Sequence, residues 1–421
     1  MTRHDANDSV GLRREADAAI VPWLRSGGPA THERPVDPAA WSGLLERVRK
    51  TGLAGLVLES ARRWGVGLPV ETECGLAEIA GRVAAVQLNL CHELGTMVRC
   101  LDRAGVSVVL LKGAALCHTV YERPGLRPMS DLDLLVPPAD LDRATTALMK
   151  LGCRRGPAPI RDDFCPRFHY EVELLTPPPR AARLDLHVRA LRPLRIARIM
   201  PDEALFDGAQ RIRIGDGEAR IPRPEFMLIH LAAHAAYHGW DRLIWLYDAK
   251  RWTDRYGDAM DWSALVAACR RWRLSLSVAQ TIRRAAALWG PVCPPDALGE
   301  LESHPARWTD RWTLRQAPRD AASPLFHVLC NLCCTSGIRF RLAYVLALLR
   351  PGASHLAECY PWRHRGWTIC AMVWRGVRGL GRFLAPSVRP IERRVRPSAP
   401  RRSPIHRARA TLSAGAVQAG R

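Results

Sequence analysis

Two aspartates one residue apart, Asp131 and Asp133, open the apolar run DLDLLV, and a third, Asp185, sits in RLDLHVRAL beside His187. In an extended chain successive side chains point to opposite faces, so Asp131 and Asp133 share one face while Leu132, Leu134 and Val136 take the other. Carboxylates that close raise one another's pKa unless a cation lies between them, and hard oxygen ligands suit Mg²⁺ or Mn²⁺. Alone, an Asp-x-Asp is more often a solvated pair at a strand start. The second run shifts the balance. Leu184, Leu186 and Val188 alternate with Asp185, His187 and Arg189, which predicts another half-buried strand with an acid and an imidazole on its polar face. Two such strands could hold a pair of metal ions roughly 3.5–4 Å apart, the arrangement in which phosphoryl transfer activates an attacking oxygen and steadies a leaving one.

Upstream of the acids, residues 106–111 read as a buried strand, Lys112 and Gly113 as a turn, and residues 114–121 as a short helix. The succession LLKGAAL, Tyr121, GLRPMSDLDLLV and LDLHVR resembles the uncharacterised nucleotidyltransferase family of the DNA polymerase β-like superfamily. PRPEFMLIHLAAHAAYHGWDRLIWLYDAKRW resembles that family's helical C-terminal part, and the likeness runs over residues 80–290, more loosely 40–350. The resemblance implies an α+β fold: a polymerase β-like core, with a mixed sheet flanked by helices, between N-terminal helices and an all-α C-terminal domain. It also implies a metal-dependent enzyme that moves a nucleoside monophosphate from an NTP to an unidentified acceptor and releases pyrophosphate. In that scheme Asp131, Asp133 and Asp185 are both catalytic and metal-binding, the first two holding Mg²⁺ (or Mn²⁺) and Asp185 completing the site near the acceptor hydroxyl. The superfamily usually places Gly-Ser or Gly-Gly at the turn, whereas this chain has Lys112-Gly113-Ala114.

Four residues are candidates for holding the nucleotide. Gly113 begins a helix after a strand, where free backbone N–H groups favour a phosphate, and Lys112 offers a point charge to a β or γ phosphate. Arg127 and Ser130 precede the acids; Arg127 either neutralises phosphate charge or pairs with Asp131 or Asp133 and stiffens the loop. His230, His234 and His238 recur at steps of four, followed by Trp240 and Asp248, but no Glu follows His230 or His234, so the zinc-protease pattern is absent. His187, His234 and His238 are expected to face substrate. Cys330, Cys333 and Cys334 form a C-x-x-C-C without a partner cluster and read as core residues. A different class of function, a non-catalytic nucleotide-binding regulator or scaffold on the same fold, fits the altered turn equally.

The positioning elements follow from periodicity. Helical patterns span residues 41–64, broken by Gly52 and Gly55, then 75–104 and 139–151. Strands at 168–175 and 183–191 are joined by the proline turn TPPPR, and a small hairpin, RIRIGDGEARI, precedes helices that run from Pro224 to about residue 349. This predicts a disordered stretch at 1–35, a core at 36–200 whose sheet closes near Pro193, a helical domain at 201–350, and an Arg/Pro-rich tail at 351–421, with residues 362–383 as an amphipathic helix.

A chain of 421 residues with 48% hydrophobic and 24% charged residues has room for a substantial core. The formal net charge of +21 comes almost wholly from arginine, since only Lys50, Lys112, Lys150 and Lys250 are lysines. That charge leaves nucleic acid open as a partner of the tail. Thirteen irregularly spaced cysteines argue against a disulfide framework and for a reducing cytoplasm. The polar start MTRHDANDSV lacks an apolar signal region, and the most apolar stretch, 325–349, is interrupted by Arg339 and Arg341, so no membrane span is expected.

Overall fold

The computed structural model describes residues 19–355, apart from 26–27, 36, 157–163, 165–166, 169, 179–181, 192–199, 202, 317–327, 329–330, 333–336 and 353–354. Expectations for residues 1–18, for the tail beyond 355 with its amphipathic segment at 362–383, and for the Cys330, Cys333 and Cys334 cluster lie outside the described residues.

The chain begins with helices whose ends are written locally. Helix α1 (Pro38–Thr51) starts at Asp37, whose carboxylate accepts from the Ala40 N–H, with Pro38 at the first helical position. It stops at Gly52, which takes φ +73°. Helix α2 (Ala54–Arg63) follows at once, so the expected single element is two. The long α3 (Val70–Arg103) buries Leu90, Leu94, Met97, Val98 and Leu101 along one stripe. Gly55 on α2 shows why these helices matter to the site. A Cβ there would lie 2.1 Å from the Gly125 carbonyl oxygen, and the Gly125 N–H donates to Gln87 Oε1 on α3. The loop before the two aspartates is thus clamped between α2 and α3.

A mixed sheet of seven strands stands at the centre, in the order β3-β4-β5-β2-β1-β7-β6. Its members are β1 (Val109–Leu110), β2 (Asp131–Leu135), β3 (Arg154–Arg155), β4 (Glu171–Leu175), β5 (Arg183–His187), β6 (Gln210–Ile214) and β7 (Gly217–Ile221). The short α4 (Lys112–Leu116) follows β1, and α5 (Leu141–Lys150) follows β2. Strands β4 and β5 form the expected antiparallel hairpin, and β5 lies parallel to β2. The β6–β7 hairpin joins the same sheet through a parallel contact of Val109 with Arg220. The sheet therefore does not close near Pro193; alternation in RIRI and EARI gives β7 an apolar face that needs cover, and α3 supplies it.

Helices α6 (Pro224–Tyr237), α7 (Leu243–Tyr256), α8 (Trp262–Arg271), α9 (Ser275–Trp289), α10 (Pro295–Ser303), α11 (Trp308–Gln316) and α12 (Ile338–Leu349) complete twelve α-helices among the described residues. Helix α6 is apolar almost all round and is buried accordingly. Helix α12 packs Phe340 and Tyr344 onto Phe168, just ahead of β4. Part of the stretch expected to be disordered is built into the core. Trp23 is buried within the turn Val21–Leu24, 6.2 Å from the Trp41 ring, and Trp289 Nε1 donates to the Val21 carbonyl. Two tryptophans hold that segment, a contact too distant in sequence for periodicity to register.

Candidate active site

Strand register assembles the acids. Across the parallel β2–β5 pair, Asp131 lies opposite Arg183, Asp133 opposite Asp185, and Leu135 opposite His187. Because β-strand faces alternate, Asp131, Asp133, Arg183, Asp185 and His187 share one face. That face is not half-buried as the alternation suggests: Asp133 and Asp185 are each 4% exposed and His187 is 2% exposed. Among the described residues, Asp133, Asp185 and His187 form a group whose donor atoms all lie within 4.8 Å of one another and could hold a metal ion. The expected trio had Asp131 in place of His187; Asp131 stands at the rim, where Ser130 Oγ and Arg183 Nη2 donate to it at 3.2 and 3.3 Å.

Protein cations border each carboxylate. Lys112 Nζ donates to Asp133 Oδ1 at 2.6 Å, and His187 Nε2 lies 2.8 Å from the same oxygen. Burial alone would favour the neutral acid, yet Lys112 and His187 more than offset it and hold the Asp133 carboxyl well below the usual range. Asp131 goes the other way, raised by burial and then by the negative charge of Asp133. Arg183 donates to both oxygens of Asp185, at 2.8 and 3.2 Å, and bridges to Asp131. Its side chain is 45% exposed, so this cation stands at the solvent side of the acids. Arg183 was not among the sequence candidates, although it alternates with Asp185 and His187 in RLDLH and so belongs to the same face.

The donor set suits a divalent ion. Three carboxylates on one face have no fixed cation that satisfies them all, as the raised Asp131 shows. His187 Nδ1 lies 3.6 Å from Glu171 Oε2, so the imidazole stands between two carboxylates, with Nε2 towards Asp133.

The turn after β1 is strained. Lys112 has φ +44°, a conformation that costs a non-glycine residue about 1–3 kcal/mol and is found at functional sites. Lys112 turns into the site instead of reaching solvent, its ammonium paired with Asp133. Gly113 packs closely against its neighbours: a Cβ there would lie 2.6 Å from Arg127 Nη1 and 2.8 Å from Met129 Sδ, so either side chain would have to shift. Helix α4 has only five residues, too short to present a strong dipole.

Arg127 pairs with neither Asp131 nor Asp133. It is buried against Asp248 of α7, Nε to Oδ1 at 2.9 Å and Nη2 to Oδ2 at 2.7 Å, and Tyr121 Oη donates to Oδ1 at 2.8 Å. The loop before β2 is thereby fastened to the C-terminal helices. Asp248 gave one sequence signal, a lone acid in the mostly buried stretch LIWLYDA.

Of the histidines, His230 is fully buried with neither ring nitrogen hydrogen-bonded, and it lies close enough to Lys112, Asp133 and His187 to feel their charges. His234 is half-buried and His238 exposed. Lys112, Arg127, Leu231, His234, Trp245 and Asp248 line one crevice, so His234 shares an opening with Lys112, while His187 belongs to the group of Asp133 and Asp185. The three imidazoles of this row form no metal-binding group with other described residues.

No helix among the described residues is long and apolar enough to cross a membrane. No curated protein and no solved structure matches the chain. The model of an uncharacterised nucleotidyltransferase family matches residues 37–290, a span that runs from α1 through the whole sheet to the end of α9 and contains every site residue described above. The chain belongs to that nucleotidyltransferase family and is a transferase enzyme.

Proposed function

We propose that the protein transfers a nucleoside monophosphate from an NTP to an acceptor, on a polymerase β-like core that runs through β7 and is followed by an all-α part. The acceptor oxygen forms a bond to the α-phosphorus, the bond to the β-phosphate oxygen breaks, and pyrophosphate leaves. The observation that carries this reading is the register that sets Asp133 beside Asp185 with Asp131 and His187 on the same face, next to Lys112. Asp131, Asp133 and Asp185, joined by His187, would hold Mg²⁺ or Mn²⁺, the hard ions that carboxylates suit. Such an ion neutralises phosphate charge and makes the acceptor oxygen a better nucleophile.

The chain's own residues do the rest. Lys112 leaves Asp133 for the β or γ phosphate once another cation satisfies that carboxylate. Arg183 likewise releases Asp185, which accepts the acceptor's proton. Arg127, held by Asp248, fixes the loop that presents Ser130 and Asp131. Among acceptors, nucleic acid is retained only through the arginine-rich tail.

The test is incubation of the full chain with each α-labelled NTP, Mg²⁺ or Mn²⁺, and a panel of hydroxyl and phosphate acceptors. Label transfer with pyrophosphate release, abolished in Asp133→Asn and Asp185→Asn, is expected; no transfer across the panel counts against the enzyme. One observation favours a second reading, a nucleotide-binding regulator. The open side of Gly113 is filled by Arg127 and Met129. Saturable NTP binding without pyrophosphate release would select it.

A further inference from the structure

Three imidazoles run along α6 and the residue after it, and their surroundings differ in a graded way. His230 is fully enclosed, His234 half-buried and His238 exposed. The row leaves the core as it rises and meets solvent one turn beyond His234. Trp245, in the first turn of α7, closes against it, its ring 4.9 Å from that of His234 and 5.0 Å from that of His238. The Arg242 guanidinium lies 5.1 Å from the same indole. A single crevice is lined by Lys112, His234 and Trp245, so this aromatic face and the lysine that holds Asp133 share one opening.

The face is aromatic, with the Trp245 ring tilted 73° from that of His234 and 47° from that of His238. Burial, and then the charge of Lys112, keeps the His234 imidazole well below its usual pKa and so uncharged. Arg127 and Asp248, which also line the crevice, neutralise one another. What remains is an aromatic wall of tilted rings with the Arg242 guanidinium over its indole, beside a cation suited to phosphate. A nucleotide has the same two parts, a polyanionic chain and a planar heteroaromatic ring, joined in that order.

We propose that the Trp245, His234 and His238 face holds the base of the nucleotide whose phosphates lie at Lys112, a subsite that rests on the nucleotidyltransferase reading above. Stacking on an indole and an imidazole accepts any base, because every base has a π-face. The four NTPs therefore bind with similar affinity, purines somewhat better for their larger rings.

The full chain with Mg²⁺ is titrated calorimetrically with two probes, α,β-methylene-ATP and inorganic tripolyphosphate, which share the phosphates and differ in the base. In Trp245→Leu the analogue binds about ten- to a hundredfold more weakly. Tripolyphosphate stays within about twofold, and Trp245→Phe recovers most of the loss. If tripolyphosphate weakens in step, Trp245 shapes the phosphate site and the subsite is overturned; an unchanged affinity for the analogue overturns it too. Should the unaltered chain bind neither probe, the nucleotide reading itself falls and takes the subsite with it.

Discussion

Asp133 Oδ1 is contested. The Lys112 ammonium lies 2.6 Å from it, and any ion held by Asp133 must take that contact or its neighbour. Lys112→Met should therefore raise the affinity for Mn²⁺ alone by roughly tenfold, since a hydrogen bond to a charged group is worth about 1.5 kcal/mol or more. The same change should weaken tripolyphosphate binding; calorimetry of each checks both signs. His230 makes a separate prediction. Burial, then the charge of Lys112, pushes its imidazole down to about 3, so the folded chain stays neutral there at a pH where the unfolded chain takes up a proton. Its contribution is complete above about pH 6.5 and is lost as pH falls towards 3, with a slope of at most about 1.4 kcal/mol per pH unit. Urea unfolding of His230→Leu should show a shallower acid-side decline and little loss at pH 7, because neither ring nitrogen has a partner to lose. At this scale the sequence singled out Asp131, Asp133, Asp185, His187 and Lys112; β2 and β5 carry the first four on one face, and Lys112 reaches Asp133 from the turn after β1. The sequence hid Arg127's true partner, because Asp248 lies 121 residues away and no local pattern reports so distant a pairing.

The elements that carry the site are tied by one buried ion pair. Arg127 and Asp248 have side chains 7% and 2% exposed, and they join the loop before β2 to α7. Removing either partner leaves a buried charge alone, so Arg127→Leu or Asp248→Leu should cost about 3–5 kcal/mol, while the double variant should recover much of that. Denaturant midpoints for the three proteins complete the cycle. Helix and strand assignments followed from spacing where one face is apolar, as in α3, β2, β5 and the β4–β5 hairpin. Spacing failed where both faces are covered: α6 is apolar all round, so its histidines carried no sign of which neighbour they meet. The break between α1 and α2 was legible as Gly52 and Gly55, but the reason for Gly55 was not, since it is the backbone of Gly125.

The whole molecule depends on a strand that arrives late. The β6–β7 hairpin supplies the parallel partner of β1, and α7 supplies the partner of Arg127. A chain ended at residue 200 should therefore be insoluble or lack cooperative unfolding, although it contains all three aspartates; gel filtration and thermal melts decide. The contact of Val109 with Arg220 has a consequence for biosynthesis. A ribosome adds about 5–20 residues per second, so β1 emerges many seconds before anything can pair with its far side. During that interval the acid-bearing strands wait with an open flank, which makes the nascent chain a natural client for holding chaperones.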